Sequence, residues 1–208
     1  MRLFPIFASN LVECTFEEKN ITDKLFGLVD EYEYINSKQP GSNGSTSTVN
    51  KKILDDHPEI KESLLKYFYA VNERSFFYPC KFDITTSWFT KVKNQCFSQF
   101  HSHRNSFYSG VLYFGEYPEG ITHGPIEFDN PNSELPNYYV IPTTWNIHNC
   151  NSWQVYPKKN MLLFFPSHVR HRIGNHNSDI TRYSLAFNIV PIGSYGEGDS
   201  SYSTEWFN

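Results

Sequence analysis

No run of 18 apolar residues occurs in the 208-residue chain, so the sequence contains no spanning helix. No basic run occurs either. Eighteen Lys and Arg against 22 Asp and Glu leave a formal charge of −4. A protein that grips nucleic acid by neutralising phosphates needs a cationic patch, so that class is not expected. The four cysteines, Cys14, Cys80, Cys96 and Cys150, include no CxxC pair, which argues against a zinc site or a disulfide scaffold. They read mostly as small buried residues of a reducing compartment. The amino terminus meets Pro5, Asn10 and Glu13 too early for a signal peptide and reads as a short strand entering the fold. The expected location is cytoplasmic.

Charged residues are scarce at 19%, whereas aromatic rings reach 17%, a composition that packs a core and is not that of a disordered chain. The length suits one domain over residues 1–208. Within it, residues 1–80 read as a strand and supporting helices, 81–193 as the core and 194–208 as a tail. Leu25, Leu28, Val29 and Tyr32 predict a helix within 22–36, capped by Thr22. Residues 38–48 form a loop by composition. A second helix starts at Pro58 and buries Ile60, Leu64, Phe68 and Val71. From residue 82 onward short aromatic and β-branched runs follow one another: FDITTSWFT, CFSQFHSH, YSGVLYF, PIEFD, WQVYP, MLLFFP and RYSLAFNIV. Short strands at this spacing predict a mainly β jelly roll with the helices packed on it.

Two groups of residues stand out chemically. His101 and His103 are two apart on an expected strand, so their imidazoles share a face and can converge on one point. A third histidine from another strand would complete one face of an octahedral metal site and leave positions open for other ligands. The competing reading is a solvated or hydrogen-bonded pair. The second group lies on the strand after the polar turn GNHNSD. Tyr183, Leu185, Phe187 and Ile189 take the core face, and Arg182, Ser184, Ala186 and Asn188 take the other. Arg and Ser at i and i+2 can share one carboxylate, the guanidinium fork on both oxygens and the hydroxyl on one. The competing reading is an ordinary edge strand with a surface arginine.

The combination is sharper than either group. An HxH pair, a distant histidine after an apolar strand ending at Pro166, and an Arg-x-Ser eleven residues past His171 occur in one chain. With SWFTK (87–91), HSHRNSFYSGVLYF (101–114), IEFDNP (126–131), MLLFFPSHVRHRIGNHNSDITRYSLAFNIVP (161–191) and GSNG (41–44), the chain resembles the iron(II)- and 2-oxoglutarate-dependent oxygenases, built on a double-stranded β-helix. More closely, it resembles a small family of such enzymes found in marine bacteria and their phages.

The resemblance implies Fe(II), 2-oxoglutarate and dioxygen as cofactor and cosubstrates, with succinate and CO2 as coproducts. It places His101 and His171 as metal ligands and the active centre at His101, His103 and His171. Arg182 and Ser184 become the anchor of the far carboxylate of 2-oxoglutarate, with Asn188 on the same face. Tyr113 is expected to reach the near end of the cosubstrate. His103 stands where most such enzymes carry Asp or Glu, and Glu127 or Asp129 is an alternative third ligand. The implied reaction is hydroxylation of an unactivated C–H bond, in the cytoplasm of a bacterium or a phage-infected cell. The rim loops 115–125 and 131–146, acidic to neutral and aromatic, favour a peptide or amino-acid-like substrate. Neither a nucleic acid nor a membrane is expected as partner, and exposed jelly-roll edges suggest a homodimer.

Trp88, Trp145 and Trp153 read as structural or pocket-lining, His168 as exposed or supporting, and His176, in a turn rich in Asn and Ser, as exposed. His57, His123 and His148 carry no pattern. Two other functions compete. A cupin shares the barrel, and Pro166, His171 and Asn175 echo its second motif. Its glycine position holds His168, however, and Phe107 or Tyr108 stands where its first motif wants a glutamate. A non-catalytic jelly-roll binding or structural protein is the other.

Overall fold

In a computed structural model, residues 8–37, 41–121, 123–130 and 141–204 are described. The chain opens with β1 (Val12–Thr15), α1 (Lys19–Leu28), β2 (Tyr34–Asn36), β3 (Thr46–Thr48) and α2 (Pro58–Val71). There follow β4 (Lys81–Val92), β5 (Tyr108–Tyr113), β6 (Ile126–Asp129), β7 (Ser152–Val155), β8 (Met161–Pro166), β9 (His171–Ile173) and β10 (Arg182–Ile192). Two short strands, β11 (Ser194–Tyr195) and β12 (Tyr202–Ser203), end the described chain.

Seven strands form one sheet in the order β1-β8-β5-β10-β4-β3-β2, and β7-β6-β9 form a second. The mainly β jelly roll expected from the sequence is therefore present, with the large sheet extended by strands that precede residue 81. The outer face of the large sheet carries Phe89, Leu112, Phe164, Leu185 and Phe187, which pack on Leu25, Ile60, Leu64 and Phe68 of the helices. Its inner face carries Val111, Leu163 and Phe165, which meet Ile126, Phe128 and Val155 of the small sheet. Gly110 makes the outer layer possible: a Cβ there would lie 2.2 Å from Cζ of Phe187, its cross-strand partner.

Helix α2 begins at Pro58 as the sequence indicates, since a proline at the first helical position loses no hydrogen bond. Helix α1 differs from expectation. It starts at Lys19, and Thr22 is buried within it, its hydroxyl donating to the Lys19 carbonyl at 3.0 Å instead of capping. It also ends at Leu28, because Tyr34–Asn36 pair with β3. The cysteines differ too: all four are half-buried and free.

Strand β4 contains one irregularity that matters for the site. Asn188 of β10 pairs with Thr86 but Ile189 pairs with Ile84, so Thr85 is a bulge. Before it, Phe82 and Ile84 face the helices; after it, Phe89 faces them, and Thr86, Trp88 and Thr90 line the cavity between the sheets.

Candidate active site

Three histidines meet at the mouth of the barrel. His171 opens β9, while His101 and His103 lie between β4 and β5 in a segment that is not a regular strand. The segment is nevertheless extended and tied down. His101 and His171 exchange both backbone hydrogen bonds, at 2.9 and 2.8 Å, and the His103 N–H reaches the Ser167 carbonyl at 2.9 Å. The i and i+2 rings thus share a side, 5.3 Å apart, and lie 4.5 and 5.1 Å from the His171 ring.

Each imidazole is oriented through Nδ1. That atom lies 2.9 Å from the Gln99 carbonyl in His101, 3.0 Å from the Val169 carbonyl in His171, and 2.7 Å from Asn188 Oδ1 in His103. Carbonyl oxygens only accept, so Nδ1 carries the proton and Nε2 keeps its lone pair. Burial lowers all three pKa values, that of His171 to about 3, with neighbouring imidazoles adding to the effect at His103 and His171. Three neutral rings each offer one nitrogen, and these lie within 4.8 Å of one another. A ligating histidine whose second nitrogen donates to an oxygen is the arrangement a bound metal favours, so the donor set fits a divalent ion.

Asn188 is itself held in place, donating from Nδ2 to Thr86 Oγ1 at 2.8 Å and accepting from Ser109 Oγ at 3.0 Å. It lies on the inward face of β10, as its alternation predicts, but its amide is engaged with His103. Among the described residues no carboxylate joins the three histidines. Glu127 binds Arg172 Nε at 2.6 Å and Gln154 at 2.9 Å, and Asp129 binds Arg170 at 3.1 Å. Both acids alternate with the inward-packed Ile126 and Phe128 and so point away.

At the other end of the cavity Arg182 is 1% exposed. Its Nε donates to the Gly124 carbonyl at 3.0 Å, Nη2 to the Tyr113 hydroxyl at 3.1 Å, and Nη1 approaches Ser184 Oγ at 3.5 Å. None of these partners carries a negative charge, and among the described residues Arg182 forms no ion pair. A buried cation left so is costly by several kcal/mol, which marks the place for an anion. Tyr113 pairs with Ser184 across the strands, so its hydroxyl stands beside Arg182. Burial raises the Tyr113 pKa against the opposing effect of Arg182. Its hydroxyl accepts from Arg182 and retains its own proton to donate.

Between the two ends lies a cavity of about 450 Å³, whose apolar lining includes Val111, Ile126, Phe165 and Ala186. Trp88 lines it, whereas Trp145 and Trp153 are exposed. His168 is exposed, but His176 is fully buried: Gly124 N–H donates to its Nδ1 at 3.0 Å and its Nε2 donates to the Ile180 carbonyl at 2.8 Å. Turn composition hid this, because the close approach of Gly124 is a long-range event. His123, without pattern in the sequence, is buried between the rings of Tyr117 and His176. The rim loop 131–146 lies outside the described residues as far as 140.

The GSNG segment supports the histidine end. Asn43 exchanges backbone hydrogen bonds with Phe97 at 3.1 and 2.9 Å, Ser42 Oγ accepts from the Gln99 N–H at 3.0 Å, and the Gly41 carbonyl accepts from its side chain. The loop therefore clamps the residue whose carbonyl orients His101.

Residues 86–188 match a family model described as "Putative 2OG-Fe(II) oxygenase". No curated protein matches the sequence. Among solved structures the chain is similar to a prolyl-4-hydroxylase from Pseudomonas putida, with 15% identity, a TM-score of 0.60, and 87% of this chain and 93% of that one covered. It is similar to HygX from Streptomyces hygroscopicus, solved with nickel, 2-oxoglutarate and hygromycin B, at 8% identity and a TM-score of 0.63 over 88% and 83% of the two chains. A prolyl hydroxylase from Trichoplax adhaerens, in complex with a hypoxia inducible factor peptide fragment, gives 11% identity and a TM-score of 0.61 over 86% and 83%. These likenesses establish the double-stranded β-helix fold.

Proposed function

We propose how this chain, a 2-oxoglutarate- and iron(II)-dependent dioxygenase by the family domain it carries over residues 86–188, divides the work among its residues. The observation that carries the reading is Arg182, a fully buried guanidinium with only neutral partners, set in the same cavity as three converging neutral histidines.

His101, His103 and His171 hold iron through Nε2, each fixed by the oxygen at its Nδ1. Arg182 and Ser184 take the far carboxylate of 2-oxoglutarate, and the Tyr113 hydroxyl donates to the same group. Asn188 acts on His103 and so positions the metal ligand without touching the cosubstrate. Iron, with 2-oxoglutarate and dioxygen, supplies oxidative decarboxylation to succinate and CO2 coupled to hydroxylation of an unactivated C–H bond of the substrate. Val111, Ile126, Phe165 and Ala186 keep water from the reacting centre. A peptide or amino-acid-like compound remains the substrate class that the aromatic rim favours. The origin in marine bacteria or phages, the cytoplasmic location and a homodimeric state belong to the same proposal. The cupin and non-catalytic readings explain neither the family match nor the buried Arg182.

The test is an anaerobic titration of 2-oxoglutarate into the Fe(II)-loaded protein, followed through the visible metal-to-ligand charge-transfer band. The band is expected in the wild type, strongly weakened in Arg182→Ala and lost in His171→Ala. Iron binding without a band in the wild type overturns the reading in favour of a cupin-like enzyme.

A further inference from the structure

The cavity holds a second cation. Lys51 lies between β3 and α2, in a stretch seated on β4 by the hydrogen bond from the Ser87 N–H to the Lys51 carbonyl, 2.7 Å. Its side chain is half-buried and turned into the same cavity as the histidines and Arg182. Nζ sits 5.8 Å from the centroid of the Trp88 ring, and that ring lies 5.5 Å from the His103 ring. The hydrogen-bond partner of the ammonium is the neutral hydroxyl of Ser47, at 2.8 Å. Among the described residues Lys51 forms no ion pair, and no Asp or Glu lines the cavity. Burial lowers its pKa with no acidic group opposing.

The charge balance is unusual for a chain with a net charge of −4. With His103 in place of a carboxylate, the metal centre keeps its full positive charge. The two carboxylates of 2-oxoglutarate match that centre and Arg182 only in part, and nothing on the wall answers Lys51. Low-dielectric walls focus such a surplus. Hydroxyls of Ser47, Thr86 and Thr90 stand on the same side of the cavity, as oxyanion recognition requires.

We infer that Lys51, backed by Ser47 and seated over Trp88, is the specificity-determining residue for an anionic group, carboxylate or phosphate, on a small primary substrate. This rests on the oxygenase reading of the site, and it narrows the substrate to an acid whose charged end lies on the β4 side of the metal. The Trp88 ring forms the apolar floor beneath that end. Arg182 serves the cosubstrate, and Lys51 serves the molecule to be oxidised.

The experiment uses the full chain loaded with Fe(II) and saturated with 2-oxoglutarate under anaerobic conditions, so that metal and Arg182 are occupied. Calorimetric titrations with acetate and free L-amino acids, with their carboxamides, and with inorganic phosphate read the remaining site. At least one anion class is expected to bind at least tenfold more tightly than the neutral counterparts, and carboxylate against phosphate then decides the source. Lys51→Met, which keeps the aliphatic stem on Trp88, is expected to lose that preference, and Lys51→Arg to retain it. The charge-transfer band should give the same 2-oxoglutarate affinity, within twofold, in all three proteins. Equal binding of anions and amides in the wild type overturns the inference, as does unchanged anion binding in Lys51→Met. A loss of 2-oxoglutarate affinity in Lys51→Met also overturns it, since Lys51 then belongs to the cosubstrate. A wild type that forms no band at all removes the oxygenase reading itself, a result distinguishable from the others.

Discussion

Nδ1 of His103 lies 2.7 Å from Oδ1 of Asn188, a residue 85 positions later on β10. That bond fixes both the tautomer and the plane of an imidazole that otherwise has freedom to turn, because His103 belongs to a non-strand segment. Loss of such an outer partner typically weakens a metal site 10–100-fold. Asn188→Ala is therefore expected to lower Fe(II) affinity by about that factor, and Asn188→Asp, which keeps the acceptor, to preserve it. Competition with a chromogenic chelator measures both.

The Tyr113 hydroxyl accepts from Nη2 of Arg182 and, in the proposed function, donates its own proton to the cosubstrate. Tyr113→Phe removes one hydrogen bond to a charged group, roughly 1.5–3 kcal/mol. The 2-oxoglutarate affinity should fall about ten- to a hundredfold while Fe(II) affinity stays unchanged. Equal weakening of both would assign Tyr113 to general packing.

Gly44 has φ of +60° within the GSNG clamp, and a Cβ there would lie 2.3 Å from Cys96 Sγ. Gly44→Ala combines left-handed strain with a clash and should cost about 1–3 kcal/mol. Because the clamp bears on Gln99 and so on His101, the loss should appear both in the thermal midpoint of the metal-free protein and in its Fe(II) affinity. Gly44→Ala with Cys96→Ala should recover the part due to the clash and leave the part due to φ.

His176 is buried with its pKa lowered, first by desolvation and further by Arg182. Its folded pKa lies below the unfolded value of about 6.5. The unfolded chain therefore binds more protons on acidification, and the stability contributed by the neutral ring, full above pH ~6.5, is lost as pH falls toward the folded pKa. Urea midpoints of metal-free wild type and His176→Gln at pH 7.5 and 5.0 test this. The wild type should lose more stability than the variant; an equal loss would show that His176 does not titrate with unfolding.

Much of the site was legible because β10 buries one face: strict alternation put Leu185, Phe187 and Ile189 in the core and aligned Arg182, Ser184 and Asn188 opposite. The His101–His103 spacing also pointed to a shared face, although an isolated bridge to His171 and not a strand produces it. What stayed hidden depends on backbone atoms and distant segments. The Gln99 and Val169 carbonyls that orient two histidines have no side-chain signature. Thr22 looks like a cap, yet its helix begins three residues earlier. Lys51 sits beside a loop with no periodicity, and the pairing of β3 with β4, together with the Ser87–Lys51 backbone bond, brings it to the cavity.

The bulge at Thr85 gives β4 two reading frames. In the first, even-numbered positions look toward the helices; in the second, odd-numbered ones do. Deleting that one residue would merge the frames without turning a side chain over, since Ile84 would look out and Thr86 in as before. Straightening the bulge with Thr85 retained would not: either Phe82 and Ile84 would turn inward, or Trp88 would be driven under the helices and Phe89 into the cavity. The wall of the cavity is thus set by a count, and a substitution scan of β4 would miss a dependence that a single-residue insertion between Thr86 and Trp88 exposes.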